Sequence, residues 1–164
     1  MKNIIVLCVA LAGGVTSGAG ELDNAFLVGR TDRQPFAYEV GEEAVFSIRL
    51  EQTQPFPDGE YFLRWRTQAD GGETFRGREP LSYGKPVTVK ARLATNGFVR
   101  VLSYVCDRKG NRCQRKIRAD GLTPEGQKAM NAGETKSKDI IFNGAAAAHP
   151  ERMRSVPEPA DFDA

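Results

Sequence analysis

Phe98-Val99-Arg100-Val101-Leu102-Ser103-Tyr104-Val105-Cys106 is the most apolar run in the body of the chain, and its reading decides the fold. Val99, Val101 and Val105 fall on one side of an extended backbone, and Leu102 and Tyr104 on the other. That period of two predicts a central strand. On its C-terminal side, Asp107 to Arg112 is a polar connection with a Gly110-Asn111 turn signal, and Cys113 to Arg118 returns as a second strand. On its N-terminal side, Thr95-Asn96-Gly97 is a turn, preceded by Val87, Val89, Ala91 and Leu93 in alternation.

The same alternation continues upstream. Ala25 to Gly29 and Phe36 to Val40 read as strands, with Gly41-Glu42-Glu43 as a turn; Phe46, Ile48 and Leu50 then share one face of the next strand. Pro55 to Gly59 cannot belong to a central strand, because its two prolines withhold ladder donors. In Glu60 to Thr67, Tyr61, Leu63 and Trp65 face one way, while Glu60, Arg64 and Arg66 face the other, in company with Phe62. Asp70-Gly71-Gly72 is a further turn. About seven short strands in about 95 residues predict an all-β fold, an immunoglobulin-like antiparallel β-sandwich with Trp65 in its core. A small closed barrel is the alternative, since strand count and spacing do not decide closure. From Ala119 to Lys138 the period is lost. Thr123 and Pro124 suit the N-cap and first position of a short helix, and a last strand is expected around Asp139 to Phe142.

With 164 residues, 40% of them hydrophobic and 27% charged, the chain has the composition of one globular domain with extensions. Lys2 and Asn3 precede an apolar run, Ile4 to Val15, and the small residues Ser17-Gly18-Ala19 follow. Residues 1–19 therefore read as a signal peptide cleaved after Ala19, with a secreted or periplasmic destination. The run falls short of the roughly 20 apolar residues of a membrane span. Cys8 would leave with it, so that Cys106 and Cys113 remain as a pair flanking the hairpin. In an exported protein such a pair is expected to form a disulfide, contributing about 2 to 3 kcal/mol.

Without Lys2 the formal charge falls from +2 to +1, which argues against a nucleic-acid partner. Arg108, Lys109, Arg112, Arg115, Lys116 and Arg118 form the one basic cluster visible along the sequence, and read as a solvated hairpin tip. Two cysteines and one histidine cannot fill a tetrahedral zinc site, and no metal or cofactor is expected. None of Ser17, Ser47, Ser82, Ser103, Ser137 and Ser155 has glycine two positions away on both sides, so no nucleophile elbow and no catalytic residue is assigned. His149 precedes Pro150 and reads as an exposed linker residue. Tyr83 and Phe75 fall in expected loops and are the candidate carbohydrate contacts, since sugars stack on exposed rings; Trp65 and Tyr61 read as core.

Three stretches carry a family resemblance: Gly59-Glu60-Tyr61 leading into Leu63-Arg64-Trp65-Arg66, Asn96-Gly97-Phe98-Val99-Arg100-Val101, and the exit from Phe142 through Ala148. With the tail Pro157-Glu158-Pro159-Ala160-Asp161-Phe162-Asp163-Ala164, the chain resembles the N-terminal domain and junction of bacterial acetyl xylan esterases and cephalosporin-C deacetylases. In secreted members of that family an immunoglobulin-like domain commonly precedes an α/β-hydrolase domain. The resemblance implies an immunoglobulin-like domain over residues 20–142, and over 143–164 a linker and the start of a truncated hydrolase domain. It also implies a non-catalytic accessory role in a carbohydrate esterase, with that hydrolase domain as intramolecular partner and a polysaccharide as a further one. The family's catalytic serine, acid and histidine have no counterparts here. The alternative is a free-standing module that binds carbohydrate or protein.

Overall fold

A computed structural model describes residues 20–118, 122–131 and 138–153; the predicted signal peptide and the Pro-Glu-Pro tail lie outside the described residues. In chain order the elements are β1 (Glu21–Asp23), β2 (Phe26–Thr31), β3 (Glu43–Glu51), β4 (Tyr61–Ala69), β5 (Arg76–Pro80), β6 (Val87–Arg92), β7 (Gly97–Asp107), β8 (Gln114–Lys116), α1 (Pro124–Asn131) and β9 (Ile141–Ala148). Strands β2-β3-β6 make one antiparallel sheet and β5-β4-β7-β9 a second, while β1 and β8 pair in parallel. Seven strands in two facing sheets give the immunoglobulin-like sandwich. Relative to its constant-type arrangement, the fourth of the seven, β5, lies beside β4 rather than in the opposite sheet. Both sheets are open, so the barrel alternative does not hold.

The alternation explains the layering. Phe46, Ile48 and Leu50 of β3 meet Leu63 of β4 and Val101 and Val105 of β7 in one core cluster, each no more than 3% exposed. Burying such side chains contributes about 1.5 to 3 kcal/mol each relative to exposure. Trp65 packs at the margin of this cluster, half-buried, with its indole against the backbone of Gly77 opposite. Strand β7 is hydrogen-bonded on both sides, to β4 and β9. Its outward residues Leu102 and Tyr104 are only half-buried, because no layer covers that side.

Residues 114–116, expected to return against the central strand, pair instead in parallel with the unforeseen β1, and three further elements differ from the sequence expectation. Residues 36–40 form no strand: Tyr38 alone makes a bridge, to Ala148, and its buried ring is tied by its hydroxyl to Asp32 at 2.6 Å. The flanking Phe36 and Val40 are exposed, so the apparent alternation there records one anchor in a loop. Strand β5 has no apolar alternation, and its place in the sheet follows from pairing along β4. Strand β9 runs on to Ala148 instead of ending near Phe142, so the glycine-alanine run is sheet. Small residues suit it: a Cβ at Gly144 would come within 2.5 Å of the Phe142 ring and 3.2 Å of Phe46. The short helix follows the capping signal, with the Gly126 amide donating to Thr123 Oγ at 3.0 Å.

Candidate functional site

The two outer faces of the sandwich differ in charge. On β4 the outward residues are Phe62, Arg64, Arg66 and Gln68, and register places Arg64 opposite Arg78 and Arg66 opposite Arg76 on β5. On the other flank Arg64 stands opposite Tyr104, Arg66 opposite Leu102 and Gln68 opposite Arg100. The row continues onto β9 through Ile141, Asn143 and Ala145. Arg64, Arg66, Arg76, Arg78 and Arg100 are all exposed. No outward position of these four strands is an aspartate or glutamate. Among the described residues none of the five arginines is in an ion pair.

The opposite sheet serves as an internal comparison. On its outer face Glu43 stands opposite Arg92 and lies 3.7 Å from Lys90 Nζ, and Arg49 is bonded to Glu51. Acids and bases are interspersed there, although among the described residues Arg30 on β2 and Arg92 on β6 are in no ion pair. On the four-stranded sheet two pairs of like charges stand directly opposite each other, an arrangement that opposes folding.

Two rings on the arginine-bearing face are already covered. The Arg78 guanidinium lies 3.8 Å from the centre of the Phe62 ring and donates to the carbonyl oxygens of Asp107 and Arg108 at 3.0 and 2.9 Å. The Arg112 guanidinium lies 4.4 Å from the centre of Tyr104 and is paired with Asp139 at 3.2 Å. Cation–π contact and hydrogen bonding hold both cations flat on their rings. What the surface offers outward is chiefly guanidinium, with the exposed ring of Phe98 on the same side of β7 beyond Arg100.

The residues singled out in the sequence are distributed differently. Cys106 stands opposite Arg112, and the flanking hydrogen bonds, Cys113 N to Val105 O at 3.0 Å and Asp107 N to Asn111 O at 2.9 Å, set Cys113 opposite Val105. Cys113 thus faces the core with Val105, and Cys106 faces outward. Both thiols are free, and the expected disulfide is not formed, because a one-residue offset in register turns a side chain to the other face. Burial pushes both thiols up, Cys113 to about 12.

Tyr83 and Phe75 are both exposed, at 43% and 57%, but they flank opposite ends of β5. Five strand residues span about 17 Å, so the two rings do not share a site. Tyr83 packs edge-on to Phe56 at 5.9 Å. Several members of the basic hairpin cluster are held by neighbours: Arg118 pairs with Asp23 at 2.9 Å, Arg112 with Asp139, and Arg108 donates to Gly59 O at 2.9 Å. His149 is not a free linker residue. It ends β9 in the left-handed region (φ 44°) with its ring between Glu39 and Glu151, and both hydrogen bonds raise its pKa, that to Glu39 more.

A groove of about 620 Å³ runs between β2, β3 and α1, lined by Leu27, Arg49, Lys128 and Phe142 among others. Its floor is the Phe142 ring wedged against Gly29 and Gly144. Among the described residues no group of three or more His, Cys, Asp or Glu could hold a metal ion, and no helix is long and apolar enough to cross a membrane. The arginine-bearing face escaped the sequence reading because its members come from three separated segments. The signal that could have found it is the i, i+2 spacing in Arg64-Trp65-Arg66 and Arg76-Gly77-Arg78. No family model, no curated protein and no solved structure matches this chain.

Proposed function

We propose that the chain is a non-catalytic recognition module that holds a polysaccharide flat against the outer face of β5-β4-β7-β9. The observation that carries this reading is that face itself: uncovered, built on four hydrogen-bonded strands, and set with five exposed arginines. A strand platform fixes the spacing of its side chains more closely than a loop does, and guanidinium forks present several donors in a fixed plane to sugar oxygens. The setting we propose is an exported acetyl xylan esterase-like protein. The leader-like residues 1–19 and the tail that resembles the family junction support it. Deacetylation would then belong to the α/β-hydrolase domain, and the module would raise the local concentration of polymer around it.

Affinity electrophoresis tests the proposal. The purified chain, run in native gels containing a panel of soluble neutral and acidic polysaccharides, is expected to be retarded in at least one. Unchanged mobility across the whole panel overturns it.

A further inference from the structure

Resting on that reading, we propose that the polysaccharide is acidic: a linear chain with closely repeated carboxylates, bound by the opposed pairs Arg64/Arg78 and Arg66/Arg76 together with Arg100. Charge complementarity carries the argument. Cross-strand partners have Cβ atoms about 5 Å apart, so each like-charged pair repels in the unbound protein. Elsewhere on this molecule the same geometry is used with opposite signs, as in Glu43 opposite Arg92. A row of anions laid across β5 and β4 would supply the partners that Arg64, Arg66 and Arg76 lack, beside the cation of Arg78 held on Phe62 and two carbonyl oxygens, and bidentate carboxylate–guanidinium bonding suits groups presented side by side.

The covered rings decide between classes of polyanion. Single-stranded nucleic acid is held on sheet faces by stacking bases on open aromatic rings, and here Phe62 and Tyr104 lie beneath Arg78 and Arg112. Duplex grooves are read by an inserted helix or ribbon, whereas this surface is the flank of a sheet. A neutral glycan held by ring stacking would find on this face the single open ring of Phe98, at the far end of β7 from Phe62 and Tyr104. What remains is recognition of charge along a chain.

The test compares two charge-matched double variants of the full chain, Arg64→Gln/Arg66→Gln on the proposed face and Lys90→Gln/Arg92→Gln on the opposite sheet. The probes are polygalacturonate, a neutral glucan and single-stranded DNA. The expected result is binding to polygalacturonate that weakens with added salt and falls about tenfold in the first variant while changing less than about twofold in the second. Equal weakening in both variants would mean diffuse attraction by net charge and overturns the proposal. So would preference for the neutral glucan, which leaves the polysaccharide-binding role standing, or DNA bound more tightly than polygalacturonate through the same two arginines. Failure to bind any polysaccharide defeats the module reading itself. Circular dichroism melts guard against misfolding, and the first variant should melt no lower than the wild type, since it relieves two like-charge pairs.

Discussion

Trp65 and Gly77 show how one residue constrains its partner. A Cβ at Gly77 would lie 2.3 Å from the indole ring, so Gly77→Ala must displace a large side chain at the edge of the core. It should destabilise the domain by about 1 to 3 kcal/mol in urea unfolding. At Gly71, where the nearest atom would be 3.7 Å away on Thr95, the same change should have little effect. The inward direction of Trp65 was legible from its alternation with Tyr61 and Leu63, though it packs half-buried at the core margin; the glycine it needs was not, because cross-strand register is invisible along one strand. His149 makes a second prediction. Carboxylates accept hydrogen bonds, so the ring can donate to both Glu39 and Glu151 only as imidazolium. Its folded pKa is raised, chiefly by the bond to Glu39 and then by that to Glu151. The stabilisation is therefore complete below the ordinary histidine value of about 6.5 and is lost as pH rises through the raised folded value. The melting-temperature gap between wild type and His149→Asn should be widest near pH ~5.5 and shrink toward pH ~8; a constant gap would contradict the bridge. Asparagine is chosen because it tolerates the left-handed backbone.

Among the elements, those with clean apolar alternation were legible: β3, β4, β6 and β7 lie close to where period two predicts them, and α1 starts at its Thr-Pro cap. Those without it were not. Strand β5 reads Arg-Gly-Arg-Glu-Pro, and β9 ends in alanines with low intrinsic strand preference, so both owe their conformation to neighbours. A chain ending at Phe142 would lose the pairing of residues 143–148 with β7, uncovering Val99 and Val101. It should be insoluble or melt far lower by circular dichroism, whereas a chain ending at Met153 should fold. The hairpin carries a further expectation. With Cys113 facing the core and Cys106 outward, mass mapping after unfolding in alkylating agent without reductant should find both cysteines labelled. Recovery of a linked peptide would mean the hairpin register is shifted by one residue from that described here.

At the scale of the whole molecule, a chain of small net charge carries an unbalanced surface. The formal charge of +2 hides it, because acids gathered elsewhere offset five arginines on one face. Composition argues against a nucleic-acid partner and says nothing of one charged face, and only the assembled sheet shows the segregation. The sandwich was legible from strand count; which outer face is the working one was not, since that depends on the pairing order β5-β4-β7-β9. On our proposal this face, and not the hairpin or the opposite sheet, receives an acidic glycan. Backbone amide NMR on titration with oligogalacturonate tests it most directly. Shift changes are expected in β4, β5 and residues 98–104 of β7, with β3 and β6 unmoved. Changes confined to residues 107–112 or to β3 and β6, or none at saturating ligand, would contradict it.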